Sequence, residues 1–354
     1  MTDSTKEYLD WFKRQAILPE IGQDGQLKLK ESKVIMVGAG GLGCPVSLYL
    51  TAAGVGGITI IDGDKVEESN LHRQVLFGSE DIGEYKAETA AKKLKKQSLW
   101  TTLQFKNEFI SVDNVSQIKD YHLVIDGSDN FATKYLLNDA SHQFGIPYLS
   151  CSIDKFKVQL GLFNTEEGPT YRCLFPEPPA VAGNCAENGV LGPAVGVAGS
   201  YQALEALKYL AGGSSQSVQL LAIDLLKNTT QQLSLTPSKA GFRESYLRKQ
   251  EYYNSLGGVC STGLVQSLSL KELKEKQAAG QNFTLVDVRS KEEHSEFNIG
   301  GELIPHEQVL ENPDLLPSNR PLVIYCQTGK RSALAALSLE QTKEVYSLAL
   351  DNLL

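Results

Sequence analysis

The sequence predicts an α/β protein with a mostly parallel sheet covered by helices on both faces, followed by a smaller α/β domain. Short apolar runs alternate with helical patterns from about residue 33 to 150, and a glycine-rich turn follows the first run. A new strand and helix pattern begins after residue 262. Such alternation is typical of parallel sheets. A chain of 354 residues is long enough for two separate cores.

The elements are predicted in chain order. Residues 1 to about 30 form an amphipathic helical arm, with Tyr8, Trp11 and Leu18 as apolar anchors. Five strands follow, at 33–38, 58–62, 102–107, 122–126 and 147–151. Three helices alternate with them, at 43–54, 85–97 and 131–143. Two β-rich segments predict added antiparallel strands, at 156–163 and 218–235.

Domain boundaries follow from where these patterns stop. The first domain is expected to cover 1–240 and the second 263–354. Between them, 241–262 is interpreted as a linker, because charged and glycine-rich stretches replace the periodic pattern. In the second domain, Ser269 is expected to cap a helix, and strands are predicted at 283–289 and 321–326.

Composition limits the class of function. The net charge is −8, whereas nucleic-acid binding needs a clustered excess of basic residues, so no nucleic-acid partner is expected. The basic run Lys92–Lys96 is interpreted as a solvated helix face. No apolar run is long enough to predict a membrane span, and the first residues lack the apolar region of a secretory signal. The six cysteines are widely spread, which favours a cytoplasmic protein with reduced thiols.

The glycine-rich turn predicts a nucleotide site. Gly38, Gly40 and Gly43 would let the backbone approach a phosphate at a helix N-terminus, where free N–H groups and the helix dipole favour negative charge. Asp62 ends the second strand, where a carboxylate meets ribose hydroxyls. Alone, this Rossmann-like fingerprint is most typical of NAD or FAD.

Four further residues favour a triphosphate. Asn70, Arg73, Gln74 and Lys86 follow the second strand and would supply the extra polar and positive groups that a triphosphate requires. A dinucleotide needs fewer such groups, because the backbone N–H groups of the turn already bind its pyrophosphate.

Several ordered motifs resemble the ThiF/MoeB/HesA family, whose E1-like members adenylate the C-terminal glycine of small ubiquitin-like sulfur carriers. The likeness covers roughly residues 8 to 235. The motifs that carry it are Arg14–Gly22, Val34–Gly43, Ser69–Gln74, Asp126–Asn130, Cys173–Glu177, Asn184–Gly192 and Gly199–Lys208.

The resemblance implies roles for individual residues. Asp129 would bind magnesium, and Arg14 would reach into the site of a neighbouring subunit as an arginine finger, which implies a homodimer. Asp64 would support the metal or cap a turn, and Asn130 would bind nucleotide or stabilise its loop. Lys134 stands where relatives often have arginine. The full set expected to bind ATP is Gly38, Gly40, Gly41, Gly43, Asp62, Asp64, Asn70, Arg73, Gln74, Lys86, Ser128, Asp129 and Asn130.

Four cysteines of the first domain are interpreted next, two of them, Cys173 and Cys185, through the same resemblance. The family usually holds a structural zinc with two Cys-x-x-Cys pairs, but here the first pair is Thr170–Cys173 and no second pair occurs near 235–250. Tetrahedral zinc needs four ligands, so no zinc is expected and hydrophobic packing is expected in its place. Cys185 is predicted either to accept the carrier or to be partly buried. Cys44 and Cys151 are expected to pack in the core.

A second chemical site is predicted at Cys326. It follows an apolar strand and precedes a helix, so its thiol would lie among backbone N–H groups, with Lys330 and Arg331 adding positive charge that favours a thiolate or persulfide. With Asp287–Arg289 upstream, the region 264–354 resembles a rhodanese domain, whose loop cysteine carries a transferable sulfur. A buried structural cysteine and a phosphatase-type loop are the alternatives.

The sequence therefore predicts an enzyme that uses ATP and magnesium in two steps. It would adenylate a carrier of the ThiS/MoaD type and then deliver sulfur from a Cys326 persulfide to give a thiocarboxylate. The implied partners are a carrier ending in Gly-Gly, a persulfide donor such as a cysteine desulfurase, and a second copy of the chain. A non-catalytic scaffold that binds nucleotide or carrier is one alternative, motivated by the missing zinc cysteines. An NAD-dependent oxidoreductase is the other.

Overall fold

The chain folds into two compact units, residues 1–256 and 257–354. The computed structural model describes residues 3–166, 168–176, 189–212, 219–234, 236–256, 266–317, 321–327, 329–337, 339 and 345–350. Within these residues, no helix is long and apolar enough to cross a bilayer.

The first unit contains an eight-stranded sheet. Its strands are β1 (Lys33–Val37), β2 (Gly57–Ile61), β3 (Thr102–Lys106), β4 (Leu123–Asp126), β5 (Tyr148–Asp154), β6 (Lys157–Phe163), β7 (Gln219–Asp224) and β8 (Thr229–Ser234). Their order in space is β3-β2-β1-β4-β5-β6-β7-β8. The first five run parallel and the last three pair antiparallel, as the sequence predicts.

Ten helices accompany this sheet in the described residues. They are α1 (Asp3–Trp11), α2 (Lys13–Ala16), α3 (Gly22–Glu31), α4 (Gly43–Ala52), α5 (Lys86–Lys95), α6 (Phe131–Phe144), α7 (Tyr171–Leu174), α8 (Gly192–Leu210), α9 (Lys239–Glu244) and α10 (Gln250–Leu256). Short 3₁₀ turns lie at 68–70, 79–81 and 115–120.

The central strands are buried on both faces, which explains why they are continuous apolar runs. Alternate side chains of β1 enter different cores, since successive residues of a strand point to opposite faces. Met36 packs with Leu50 and Leu94 on one face. Ile35 packs with Tyr135 on the other. Each such buried side chain contributes about 1.5–3 kcal/mol to stability.

The strand order reverses at β1, which lies between β2 and β4. Val37 pairs with Ile61 on one side and with Asp126 on the other, so the carboxyl ends of these strands reach one edge of the sheet. Ligands of open α/β sheets bind in the crevice at such a reversal. The glycine turn after β1 and the acidic residues after β2 and β4 are therefore brought to this edge.

The N-terminal arm differs from the prediction in its anchors. The chain forms three short helices, and the buried apolar side chains are Tyr8, Leu9 and Phe12. The Tyr8 hydroxyl donates to the Gly54 carbonyl at 2.8 Å. Trp11 and Leu18 are 60% and 49% exposed, so the prediction that they anchor the arm was wrong. The turn after α1 directs Phe12 inward instead.

The segment interpreted as a linker, 241–262, also differs over its first part. Residues up to 256 belong to the first unit and include α9 and α10. Tyr253 is fully buried, and its hydroxyl donates to Asp139 at 2.9 Å. Arg248 pairs with the same carboxylate at 3.1 Å. The charged run 243–251 was interpreted as part of the linker, but Asp139, the carboxylate that pairs with Arg248, is buried in the first unit.

The second unit contains a parallel sheet of five strands in the order β11-β10-β12-β13-β9. They are β9 (Gln266–Ser267), β10 (Thr284–Asp287), β11 (Glu302–Leu303), β12 (Leu322–Cys326) and β13 (Val345–Ala349). The helices are α11 (Leu270–Ala278), α12 (Lys291–Glu296), α13 (His306–Glu311) and α14 (Lys330–Leu337), with a 3₁₀ turn at 313–315. Ser269 caps α11 as predicted, in a reciprocal capping box with Glu272.

Candidate functional site

Three glycines of the turn after β1 are fixed by close packing. Gly38 has φ +98°, and a Cβ there would lie 2.7 Å from the Gly127 backbone. A Cβ on Gly43 would lie 2.1 Å from the Gly38 carbonyl, and one on Gly41 would meet Val195 at 2.7 Å. These positions therefore exclude any larger residue.

Gly40 is different, because its missing side chain faces open space. A Cβ there would meet nothing closer than the Gln74 amide nitrogen, at 3.7 Å. The helix α4 begins three residues later without a side-chain cap, so its positive end lies beside this opening. The turn thus presents backbone to a space that suits an anion.

Asp62, which follows β2, also fixes the conformation of the glycine turn after β1. Its carboxylate accepts hydrogen bonds from the N–H groups of Ala39 and Asp64, both at 2.7 Å. Burial raises the pKa of Asp62, and these two N–H groups oppose that shift. The predicted ribose ligand is therefore oriented by the glycine turn itself.

Lys86 and Asp64 are brought together. The Lys86 ammonium lies 3.1 Å from the Asp64 carboxylate, and its backbone N–H donates to the Asp64 carbonyl at 2.9 Å. Lys86 is buried, whereas the Asp64 carboxylate is mostly exposed. The Lys86 ammonium is thus fixed at the start of α5, while the Asp64 carboxylate that holds it remains accessible to solvent.

Asn70 and Gln74 form a buried polar pair next to the turn. The Gln74 amide donates to the Asn70 side-chain oxygen at 2.7 Å, and both residues are buried. The Gln74 side-chain oxygen has no hydrogen-bond partner. Arg73 lies beside Gly41, with its Cγ 3.7 Å from the position of a Cβ there, and its guanidinium donates to the Ser69 carbonyl at 3.0 Å.

The segment after β4 divides into residues with different surroundings. Asp126 is fully buried and accepts hydrogen bonds from the Ser128 hydroxyl at 2.5 Å and from the Tyr148 hydroxyl at 2.7 Å. Asn130 caps α6 by accepting from the Thr133 N–H at 2.8 Å, which is the loop-stabilising alternative. Asp129 lies between them and is exposed.

Two buried cations near this segment carry contacts that the sequence did not reveal. Lys134 donates to Asp126 and to the Cys151 carbonyl, both at 2.8 Å. Arg172 forms a two-pronged pair with Asp139 at 2.7 and 2.9 Å. The only signal for either pair in the sequence is a charged residue within an apolar helical pattern.

The remaining predicted residues of the first unit are Arg14 and three cysteines. Arg14 lies on the short helix α2 and is exposed. Cys44 and Cys151 are buried, and burial raises the pKa of each thiol to about 12, in keeping with the expected packing role. Cys185 lies outside the described residues.

The second candidate site surrounds Cys326, the last residue of β12. Its sulfur accepts a hydrogen bond from the Ser332 N–H at 3.4 Å, and the Ser332 hydroxyl lies 3.4 Å away. The same hydroxyl donates to the Gly329 carbonyl at 3.0 Å. Cys326 is fully buried. The strand end and the first turn of α14 therefore place one backbone donor and one hydroxyl oxygen beside the thiol.

Arg331 does not act as an isolated positive charge near this thiol. It forms a two-pronged pair with Glu293 of α12 at 2.7 and 2.6 Å. The Arg331 guanidinium holds the pKa of Glu293 at about 2. The sequence prediction that Arg331 supplies charge to Cys326 omitted this carboxylate. The side chain of Lys330 is outside the described residues.

Asp287 and Arg289 form a buried pair at the end of β10. Their side chains lie 2.8 Å apart, and His294 Nδ1 lies 2.8 Å from the same Asp287 carboxylate. Burial would raise the pKa of Asp287, but hydrogen bonds from Arg289 and His294 outweigh it and hold the pKa below its ordinary value. Since His294 belongs to α12, these contacts attach that helix, which also carries Glu293, to the end of β10.

Comparison with known proteins matches both units. The ThiF family model matches residues 12–243, and the rhodanese-like domain model matches residues 269–350. A probable adenylyltransferase/sulfurtransferase MoeZ of Mycobacterium tuberculosis is 35% identical over 353 residues, covering 95% of this chain and 89% of that protein. The adenylyltransferase and sulfurtransferase MOCS3 of Aedes aegypti is 36% identical over 362 residues, covering 96% and 83%.

Two further similarities concern the first unit. A sulfur carrier protein adenylyltransferase of Thermus thermophilus is 45% identical over 240 residues, covering 65% of this chain and 89% of that protein. The crystal structure of Escherichia coli MccB with ATP has a TM-score of 0.55 and 23% identity over 61% of this chain and 67% of that one. That likeness supports the fold alone. The chain belongs to the ThiF family and carries a rhodanese-like domain after its ThiF domain.

Proposed function

We propose that this enzyme uses ATP to adenylate the C-terminal glycine of a ubiquitin-like sulfur carrier and then transfers sulfur to it from Cys326. The observation that carries this proposal is the presence of two matched sites in one chain. One is an anion-binding turn with Lys86 and Arg73 beside it. The other is the Cys326 thiol at the end of β12, which accepts from the Ser332 N–H and lies beside the Ser332 hydroxyl. Relatives named for both activities span nearly all of the chain.

The residues of the first site fit a nucleoside triphosphate. The open side of Gly40 leaves room for phosphate oxygens, and the Gln74 amide nitrogen, which is a donor, lies next to this opening. Lys86 and Arg73 would neutralise the phosphates, and Asp62 would accept hydrogen bonds from ribose hydroxyls. Asp129, exposed at the same sheet edge, would hold magnesium, which would neutralise charge on the phosphates.

The first step requires positioning and charge neutralisation. The carrier carboxylate attacks the α-phosphorus of ATP, the bond to the β-phosphate oxygen breaks, and pyrophosphate leaves. Such transfers gain most from fixed cations and dipoles, because negative charge spreads over the phosphate oxygens in the transition state. The pairing of Lys86 with Asp64 fixes the ammonium before the nucleotide arrives.

The second step uses the thiol of Cys326. A persulfide donor, such as a cysteine desulfurase, places one sulfur atom on it. The terminal sulfur then attacks the acyl carbon of the carrier adenylate, AMP leaves, and an acyl disulfide links carrier and enzyme. A second thiol, for which we propose Cys185, attacks the sulfur of Cys326 in this link and releases the thiocarboxylate. The resulting enzyme disulfide is reset by a cellular dithiol reductant.

Two features of the assembly belong to the same proposal. Joining both sites in one chain raises the effective concentration of the sulfur donor near a labile acyl adenylate. Arg14 is exposed on α2, so it is available to act as an arginine finger in a second copy of the chain. We therefore propose that the enzyme is a homodimer. Its widely spread cysteines support the further proposal that it acts in the cytoplasm.

The test is ATP–pyrophosphate exchange with the full chain, with and without a carrier ending in Gly-Gly. Exchange should require the carrier and should fall at least about 100-fold in Arg73→Ala, because a charge-stabilising contact to the transition state is lost. Lys92→Ala is the matched control, since Lys92 is an exposed cation on α5. ATP binding without exchange with any carrier would favour the scaffold, and NAD binding in preference to ATP would favour an oxidoreductase.

A further inference from the structure

Two pairs of residues with the same spacing meet at one corner of the first unit. Thr170 is the residue before α7 and Cys173 is the third residue of that helix. Ser238 and Gly241 have the same two positions at α9. Each pair is separated by two residues. This is the spacing with which the ThiF family holds a structural zinc, but only one of the four positions is a cysteine.

The second pair closes around the thiol of the first. The Cys173 sulfur accepts a hydrogen bond from the Ser238 N–H at 3.4 Å. It also lies 3.4 Å from the Thr170 hydroxyl. A Cβ on Gly241 would be 2.5 Å from this sulfur, so the backbone of α9 lies directly against the thiol. The four positions therefore share one site in space.

The side chains at these positions do not fit zinc. Structural zinc requires four ligands, drawn from thiolate, imidazole and carboxylate. The Ser238 hydroxyl is occupied as the acceptor for the Gly241 N–H at 2.9 Å, and the Thr170 hydroxyl accepts from Ser245 at 2.8 Å. Within the part of the chain that the structure describes, no three His, Cys, Asp or Glu residues are grouped so that they could hold a metal ion.

We infer that a metal-free hydrogen-bonded clasp, formed by Thr170, Cys173, Ser238 and Ser245, replaces the zinc of the family in this chain. The inference goes beyond the proposed function, because it concerns what holds the fold together. It also replaces the expectation that hydrophobic packing fills the corner, since the contacts there are polar.

The clasp is connected to the buried interior by further hydrogen bonds. Ser245 donates to Thr170 and receives the Asn138 side-chain amide at 3.3 Å. Asn138 in turn accepts from the Tyr171 N–H at 2.8 Å. Thr170, Ser245 and Asn138 are all at least nine-tenths buried. The path therefore joins α7 to the end of α9 through α6. A zinc held by the two pairs would connect the same two helices, α7 and α9.

The test measures zinc content and thermal unfolding of the purified full chain. We expect well below one zinc per chain and an unchanged melting midpoint after a zinc-selective chelator is added. Stoichiometric zinc that the chelator removes, with a fall in the midpoint, would overturn the inference. Neither readout depends on catalytic activity, so the result is independent of whether adenylation is observed.

A variant then tests the clasp itself. Thr170→Val keeps the shape of the side chain but removes the hydroxyl that joins Ser245, at 2.8 Å, to the Cys173 sulfur, at 3.4 Å. The Ser245 hydroxyl retains the Gly241 carbonyl as an acceptor at 2.8 Å, so the melting midpoint should fall by a few degrees rather than by the full cost of an unpaired buried group. Thr229→Val, on the exposed strand β8, is the matched control and should leave it unchanged. Thr170→Ser retains the hydroxyl and should restore most of the loss. Equal midpoints for Thr170→Val and the control would show that the hydroxyl does not hold the corner.

Discussion

The ammonium of Lys134 lies 2.8 Å from the carboxylate of Asp126, and both side chains are buried. Asp126 ends β4 and also accepts from the Ser128 backbone and hydroxyl. The pair therefore fixes the beginning of the segment that carries Asp129, without itself facing the nucleotide opening. Lys134, which stands where relatives often have arginine, therefore has a supporting role in the structure.

Replacing Lys134 with methionine should destabilise the first unit by about 3 kcal/mol, because a buried carboxylate loses its charged partner. Two hydroxyl donors to Asp126 remain, which limits the loss. Urea unfolding followed by tryptophan fluorescence measures this, since both tryptophans, Trp11 and Trp100, lie in the first unit.

Lys92→Met is the control for that experiment. Lys92 pairs with Glu88 on an exposed helix face, where solvent screens the pair and its contribution to stability is small. Lys134→Arg tests whether the pair depends on charge alone or also on the shape of the cation, because arginine keeps the charge in a larger, planar group. If Lys134→Met and Lys92→Met unfold at the same urea concentration, the buried pair contributes no net stability.

Two alanine substitutions in the glycine turn should affect different properties, one the stability of the fold and the other ATP binding. Gly43→Ala would place a methyl group 2.1 Å from the Gly38 carbonyl, so it should cost about 1–3 kcal/mol of stability. Gly40→Ala meets only a side-chain amide at 3.7 Å, so folding should be unaffected. Its methyl group would instead occupy the space proposed for phosphate and weaken ATP binding at least about tenfold. Melting curves and ATP titrations of both variants separate these effects.

Sulfur transfer should be separable from adenylation. Cys326→Ser should abolish persulfide loading, measured as the mass of one added sulfur atom on the peptide that contains this residue, and leave ATP–pyrophosphate exchange unchanged. Ser332→Ala removes the hydroxyl that lies 3.4 Å from the thiol and holds the Gly329 carbonyl of the same loop at 3.0 Å. We expect about fivefold slower sulfur transfer from the loosened loop, the value of one hydrogen bond of about 1 kcal/mol. Loss of ATP–pyrophosphate exchange in Cys326→Ser would contradict the proposal that adenylation and sulfur transfer take place at two independent sites.

Much of the parallel sheet could be predicted because its strands are buried on both faces. The runs around Val34 and Ile58 are apolar without alternation, and glycine follows the first and aspartate the second. Local sequence is enough to specify such elements. The same holds for the Cys326 loop, in which strand, cysteine and helix are consecutive.

The parts that could not be predicted depend on pairs distant in sequence. Asp139 lies in α6, and its partners Arg172 and Arg248 are 33 and 109 residues away. Nothing near Arg248 indicates a buried carboxylate, so its surroundings look like a linker. Glu293 and Arg331 are likewise 38 residues apart. Periodicity describes how one element meets a core, and it carries no information about which charges will meet.

The ion pair between Glu293 and Arg331 should make the stability of the second unit depend on pH in acid. Arg331 lowers the pKa of Glu293 from its ordinary value of 4.5 to about 2. Because the folded-state pKa is the lower one, the pair stabilises the fold fully above pH 4.5, and this contribution is lost as the pH falls towards 2. Since Glu293 is partly exposed, about 1–2 kcal/mol is expected after solvent screening.

The measurement is hydrogen exchange of peptides covering Leu322–Cys326 at a series of pH values, corrected for the intrinsic pH dependence of exchange, because both tryptophans lie in the other unit. Glu293→Gln keeps the acceptor for the Ser290 N–H that begins α12 but cannot titrate. Protection of β12 in this variant should be lower at neutral pH and should vary less between pH 4.5 and 2. Equal pH dependence in the two proteins would mean that another carboxylate carries the acid sensitivity, and Asp287, whose pKa is also lowered, would be the next residue to test.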